Sequence, residues 1–511
     1  MSELKKLAGQ TMWYGLSSVG AKMLNYLLNP ILTYIMSDAK GVADFGDYSL
    51  LYACIAFVNI IFTYGFETGY FRFSNKPGVD QNTLFQTTFG SLIFSSILLC
   101  TLFGYFAPEI NNFLNLDGHP EYIIWALLIM GLDAIIAIPF AKLRQESRPK
   151  RFAFIKLTGI VINILCVIFL LAYLPQYYEM HPNGWGVEWY FSQNKLGLIL
   201  LSNLIMNAFV LLMLFPQWKS FRFKMDTKLW KQVFKYSSPM IVIGMAGMIN
   251  EVVDRIMLAK LLPTDEMTSK MLLGIYGANY KLAIFITLFI QAFKMAAEPF
   301  FFKQATDKNS PQLYAKVMKW FVFTMCLAFL FTMLFIDIWQ YLVQANYRVG
   351  LGVVPILLFA NICLGIYYNL SVWYKITDKM NAGIYITLIG AIVTLVGNFY
   401  FIPLYGMYAA AWVTCLCYFI MVVVSYIMGQ KYFPIPYSLS QITKLILLML
   451  VAFGIHEGVM LLFKNTASNT LTHLLISVGT GTVLFFAYIG IVLKWFKEDL
   501  AGIALLKKLK I

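Results

Sequence analysis

Charge is scarce in this sequence. Asp, Glu, Lys and Arg make up 13% of its 511 residues, about half the share of roughly 25% in soluble domains. Apolar residues take 60%, and a soluble fold of this size has too little interior to hide them. A soluble enzyme and a disordered chain are excluded, and the remaining class is a polytopic membrane protein whose solvent is lipid. Cysteine is sparse as well. Cys54, Cys100, Cys166, Cys326, Cys363, Cys415 and Cys417 all lie in apolar stretches, as buried small hydrophobes do, so a secreted disulfide scaffold is excluded. Cys415 and Cys417 have no His or Cys neighbours at a spacing that suits zinc. Missing too are a phosphate-cradling Gly-rich loop, a His-Glu-x-x-His pair and a nucleophile elbow. No ATP hydrolysis, metal or cofactor is expected, and the chain is read as a non-enzyme.

What is present is a succession of apolar runs near the roughly 20 residues that one crossing needs. The first seven are expected at 9–35, 45–69, 84–106, 121–141, 152–174, 195–215 and 236–260. The second seven are expected at 272–296, 316–337, 350–373, 383–402, 406–429, 441–463 and 471–493. The first run follows Lys5 and Lys6 and reads as an uncleaved membrane helix, not a signal peptide. The runs 383–402 and 406–429 are separated only by Ile402-Pro403-Leu404-Tyr405-Gly406, a Pro- and Gly-bearing turn. The net charge is +14, and its distribution accounts for it without nucleic acid. Of the 39 basic residues, Lys40, Lys195, Lys260, Lys270, Arg348 and Lys464 fall in outer loops and Lys22, Arg255, Lys281 and Lys294 within spans. The others fall on the side of the two chain ends, which places both termini in the cytoplasm. The largest outer loop, 175–194, has only Glu179 and Glu188 as acids. A membrane polysaccharide polymerase or glycosyltransferase would be expected to carry more there.

Two halves of the chain resemble each other. Gly65-Phe66-Glu67 through Arg72 matches Ala296-Ala297-Glu298 through Lys303, and Arg144 to Ser147 falls on Lys375 to Asp378, both at an offset near 231. Phe45-Gly46-Asp47-Tyr48 matches Leu273-Gly274-Ile275-Tyr276 at 228. The first and seventh spans both enter from the cytoplasm, so the repeat unit is six helices. The expected fold is an all-α integral membrane protein of about 14 transmembrane helices: two six-helix bundles plus two C-terminal helices. Its expected divisions are 1–215, a basic cytoplasmic linker 216–235, 236–430, and a C-terminal part 431–511. Parallel repeats of this kind are a transporter architecture with a site between the halves. The linker's Lys219, Arg222, Lys224, Lys228, Lys231 and Lys235 suit an interfacial segment on anionic headgroups.

Ionisable groups inside spans are functional candidates by default. The seventh span holds Asn250, Glu251, Asp254 and Arg255, with the three charges at helical spacings that share a face. Lys22, with Asn25 and Asn29 below it, and Lys281 are further cavity candidates. Glu67 with Arg72, and Lys294 with Glu298 four residues on, read as gate or packing pairs. Asp133 stands alone in the fourth span and is a candidate for coupling to H+ or Na+.

These marks together resemble a known family. Val253-Asp254-Arg255-Ile256-Met257-Leu258, Leu273-Gly274-Ile275-Tyr276-Gly277, Gly65-Phe66-Glu67 through Arg72-Phe73, Glu298-Pro299-Phe300-Phe301 and Asn398 through Gly406 carry the likeness. In topology it covers nearly the whole chain. The sequence resembles the multidrug/oligosaccharidyl-lipid/polysaccharide (MOP) exporter superfamily, and within it the oligosaccharide-lipid flippases of polysaccharide biosynthesis. The resemblance implies a MATE-like fold in a bacterial cytoplasmic membrane. It also implies movement of an undecaprenyl-diphosphate-linked oligosaccharide, an O-antigen, capsule or similar unit, from inner to outer leaflet. Lys22, Arg255 and Lys281 would meet the diphosphate, and Tyr14, Asn25, Asn250, Asn279 and Tyr280 the sugars. Polymerase or ligase proteins would take the product. The alternatives are a cation-coupled multidrug antiporter and a lipid II flippase of the same superfamily.

Overall fold

The computed structural model describes residues 20–496 except 117, 305–308, 378 and 464–469. Also outside the description are the side chains of 285, 295, 296, 298–300, 302–304 and 470. Among the described residues there is no strand.

The long helices in chain order are α1 (residues 20–35), α2 (Ala39–Thr63), α3 (Gln81–Tyr105), α4 (Pro120–Gln145), α5 (Pro149–Ile168) and α6 (Lys195–Met213). They continue as α7 (Thr227–Leu261), α8 (Glu266–Gln304), α9 (Ser310–Met333), α10 (Val354–Leu370), α11 (Met380–Tyr432), α12 (Leu439–Phe463) and α13 (Thr470–Trp495). Local chemistry sets their ends. Asp80 caps α3 by accepting from the Thr83 amide, Asn194 caps α6 through Gly197, and the Asp226 carboxylate takes the amides of Lys228 and Leu229 at the start of α7. Such side chains satisfy amides that have no intrahelical partner. α4 and α5 open with Pro120 and Pro149 in the first turn, where proline costs nothing. α2 stops at Tyr64 and Gly65, both left-handed, and the short helix Phe66–Ser74 follows. At 53 residues, α11 would be about 80 Å long if straight, against a hydrocarbon core of about 30 Å. It turns at Gly406 (φ 56°, ψ −134°), three residues after Pro403, where the sequence places its tight turn.

Among the described residues ten helices are long and apolar enough to cross a membrane, or eleven with the bent pair Glu266–Ile284 and Ile286–Lys294. Three features separate this count from the expected fourteen: the expected first span begins outside the described residues, α11 counts once despite its turn, and α7 is polar. Its helix starts nine positions earlier than the apolar run does, inside the basic stretch, and carries Asn250, Glu251, Asp254 and Arg255.

The chain forms two compact units. The first holds the described residues up to Lys281 with Ile384–Cys417. In it α4 packs on α3, α6 and α2, α6 on α5, and α7 along α2. The two arms of α11 meet where a Cβ on Gly397 would lie 2.9 Å from Val413. The second unit holds Leu282–Gly383 and the chain from Tyr418. There α9 packs on α10 and α12, and α12 on α13. A smaller cluster joins Ala297, Phe301, Tyr314, Val372 and Ile435, with the Tyr314 hydroxyl donating to Phe301 O at 2.8 Å.

The repeat becomes physical where α2 crosses α8. A Cβ on Gly46 would fall 2.0 Å from the carbonyl oxygen of Lys270, and one on Gly274 would fall 2.3 Å from that of Val42. Adding 228 to 42 and 46 gives 270 and 274, so these two contacts are repeat mates. Ser49 and its mate Gly277 touch each other, with a Gly277 Cβ 2.3 Å from Ser49 Oγ. A local two-fold axis therefore runs between them. Small residues let two backbones approach this closely, and Asp47 and Lys270 pair at 3.2 Å beside the crossing.

Candidate functional site

The polar face of α7 lies inside the first unit. Asn250 is buried, donates to Thr387 O at 3.2 Å and faces Thr394 Oγ1 at 3.5 Å. Asp254 is buried and accepts the Tyr276 hydroxyl at 2.6 Å. The Arg255 guanidinium lies 3.6 Å from Asp254, donates to Glu251 O at 3.0 Å, and sits 4.0 Å from the centre of the Tyr280 ring. Glu251 itself is exposed. One residue beyond Tyr280, Lys281 Nζ is 3.3 Å from the Tyr48 hydroxyl and lies 4.6 Å and 5.2 Å from the Tyr48 and Phe45 rings. Each cation thus rests on an aromatic face, which attracts it electrostatically.

The tyrosines are again repeat mates. Tyr48 and Tyr52 of α2 correspond to Tyr276 and Tyr280 of α8 at offset 228, and the rings of each pair meet at a tilt within their helix, with centroids 4.5 Å and 5.9 Å apart. Tyr48, Tyr52 and Tyr276 were not among the residues the sequence singled out for the site. The signal was available, since a Tyr-x-x-x-Tyr spacing occurs in both copies of the matching segment.

The asparagine at position 29 of α1 is buried and donates to Ala278 O at 3.4 Å, which docks α1 against the same stretch of α8. Lys22 and Asn25 are exposed. Lys22 lies seven residues, about 10 Å along the axis, before Asn29. Asn279 is buried and donates to Ile275 O. Tyr14 lies outside the described residues. Asp133 of α4 accepts from Asn207 at 2.9 Å, and Asn203, one turn earlier on α6, bonds Tyr52. A chain of polar groups therefore runs from Asp133 through α6 to the tyrosines of α2.

At one of the other expected pairs the partner differs. Glu67 binds Arg144, not Arg72. Arg144 also lies over Phe71 and Phe152, and Arg72 lies over Tyr236, 5.0 Å from its centre. Glu67 and Arg72 are five residues apart, short of one face of a helix, whereas Arg144 comes from the end of α4. In the second unit Lys294 lies 4.8 Å from the centre of the Tyr368 ring. The side chain of Glu298 lies outside the described residues.

This is a multi-pass helical membrane protein with a cation- and tyrosine-lined polar site. Its fold is shared with solved transporters. One is described as the lipid II flippase MurJ in an inward closed conformation, with a TM-score of 0.71 and 14% identity, covering 96% of this chain and 100% of that one. Another is an inward-facing multidrug resistance MATE family transporter of the MOP superfamily, at TM-score 0.58 and 12% identity, covering 82% and 94%. A third is a MATE protein in a straight conformation, at 0.53 and 12%, covering 84% and 95%. No curated protein matches by sequence. The family described as "Polysaccharide biosynthesis protein" matches residues 7–305. The chain belongs to that family, and the MATE-like fold that its sequence led one to expect is the fold it shares with these transporters.

Proposed function

We propose that this protein is a flippase that carries a lipid-linked oligosaccharide from the inner to the outer leaflet of a bacterial cytoplasmic membrane. The carrying observation is the pair of aromatic-backed cations, Arg255 over Tyr280 and Lys281 over Tyr48, in a member of a polysaccharide biosynthesis family. A diphosphate needs fixed cations in a site of lowered dielectric, where ion pairs strengthen. An undecaprenyl diphosphate headgroup supplies that charge, and its tail stays in the lipid throughout. Tyr280, Asn250 and Asn25 offer ring faces and amides to the sugars. Lys22 on α1 adds a third cation at the approach to Asn29. Bundles 1–215 and 236–430 rock about the bound headgroup in alternating access, with both termini in the cytoplasm. H+ or Na+ enters at Asp133, and a polymerase or ligase consumes the flipped unit.

Leaflet-resolved enzymatic labelling of the diphosphate-linked glycan in a gene deletion tests the reading. Complete glycan trapped on the cytoplasmic face, and restored to the outer face by the intact gene, is the expected result. Unpolymerised glycan already on the outer face overturns it in favour of a polymerase or ligase. Cell lysis on depletion points to lipid II, and altered susceptibility to cationic dyes with no leaflet change points to a drug antiporter. In the same assay, with export normalised to protein abundance because Arg255→Ala also leaves buried Asp254 uncompensated, Lys22→Ala and Arg255→Ala are expected to abolish export. Full export by both removes the cavity assignment.

A further inference from the structure

Helix α7 does not begin at a free linker. The chain leaves α6, passes the turn Phe215–Trp218, and runs from 221 to 226 without helix. This stretch is bound to the start of α3 by a ladder of contacts. Gln86 Nε2 donates to Ser220 O at 3.0 Å, and Gln86 Oε1 accepts from the Arg222 amide at 2.7 Å. Thr87 Oγ1 accepts from the Asp226 amide at 3.1 Å, and Trp230 Nε1 donates to Ser91 Oγ at 2.8 Å. The Phe221 ring packs edge-on against Phe89 at 5.0 Å. On the other side, Lys142 at the end of α4 donates to Gln217 O at 2.9 Å. The stretch is thus pinned at the level where α3 begins and α4 and α6 end.

Its outer side is one sign of charge. Lys219, Arg222, Lys224, Lys228, Lys231 and Lys235 are all exposed. The single acid between 216 and 235, Asp226, spends its carboxylate on the amides of Lys228 and Leu229. Phe223, among the cations, is 62% exposed, and Phe215, just ahead of them, is 49% exposed. Exposed cations interleaved with exposed phenylalanines, held where three spans end, match the headgroup layer. Phosphates meet the cations, and the rings enter the acyl boundary.

We propose that residues 215–235 form a built binding surface for anionic phospholipid headgroups of the bilayer. It fixes the first turns of α7, the helix that carries Asn250, Asp254 and Arg255. A polybasic segment near a membrane draws anionic lipid, and salt weakens the attraction. The occupant is bilayer lipid, since the cations face outward over the span ends while the polar face of α7 lies about 20 residues further along that helix.

The test uses the full chain in nanodiscs of phosphatidylcholine, with and without phosphatidylglycerol. Phosphatidylglycerol is expected to raise the unfolding temperature of the wild type. In a variant with all six cations replaced by Gln, less than a third of that rise should remain, with the melting point in pure phosphatidylcholine unchanged. An equal rise in both proteins overturns the assignment. Should the six-fold variant fold poorly, Phe223→Cys carrying a fluorophore reads the same surface. Spin-labelled phosphatidylglycerol should quench it at least three-fold more than spin-labelled phosphatidylcholine at equal mole fraction, and 0.5 M NaCl should remove the difference. Equal quenching overturns the proposal. So does displacement of the phosphatidylglycerol signal by inorganic pyrophosphate at matched ionic strength, which assigns the surface to soluble or substrate diphosphate.

Discussion

Asp254 serves two partners at once, the Tyr276 hydroxyl at 2.6 Å and the Arg255 guanidinium at 3.6 Å. Removing one member of a buried charge pair costs about 3–5 kcal/mol, because the other is left uncompensated. Asp254→Ala should therefore destabilise the protein by about that amount, and Asp254→Ala with Arg255→Met should recover part of the loss. Tyr276→Phe removes one hydrogen bond to a charged group and should cost about 1.5–3 kcal/mol. Denaturant unfolding in nanodiscs, arranged as a double-mutant cycle, measures all three. A double variant as unstable as Asp254→Ala alone sinks the pairing. The sequence made the charges of α7 legible, because ionisable residues stand out in an apolar run. It did not make their partners legible. Tyr276 and Tyr280 come from the next helix, and Arg144, which holds Glu67, lies 77 positions away on α4. Spacing along one helix names which side chains share a face, and says nothing of what packs against that face.

At the scale of the helix, the α2–α8 crossing depends on the absence of side chains. A Cβ at Gly46 would meet the backbone oxygen of Lys270 at 2.0 Å, and the atom it strikes is backbone, not the tip of a side chain. Gly46→Ala and Gly274→Ala should each push α2 and α8 apart. Gly247 in α7 has open space within 4 Å of its Cβ position, and there alanine should be neutral or stabilising by up to about 1 kcal/mol through helix propensity. Cysteine cross-linking between α2 and α8, read with the unfolding midpoint, checks the contrast. Unchanged cross-linking in Gly46→Ala would remove the close approach. The matching segments around Gly46 and Gly274 were visible in the sequence as repeat mates. That they touch each other across a local axis was not visible, because a repeat fixes what is equivalent and leaves open which equivalents meet.

For the whole molecule, hydropathy carried most of the fold, since lipid leaves only helices available to spanning segments of this kind. It read α7 least well: the helix begins in a basic stretch where apolarity gives no warning. Charge sidedness carries the remaining claim, that the span ends near 142–151 and 215–235 face the cytoplasm and the loop 175–194 faces outward. Trp185 at the tip of that loop is 97% exposed and Lys224 is exposed, so each can report its side. The seven native cysteines are buried or half-buried and give little background. With a membrane-impermeant maleimide on intact spheroplasts, Trp185→Cys should label at once. Lys224→Cys should label only after permeabilisation. The reverse pattern would invert the chain in the membrane, setting the basic surface of 215–235 on the outer leaflet and removing the inward-facing start that a flippase loading from the cytoplasm requires. Labelling of both from outside would mean that an even number of crossings separates residues 185 and 224, and would break the assignment of α6 as the one span between them.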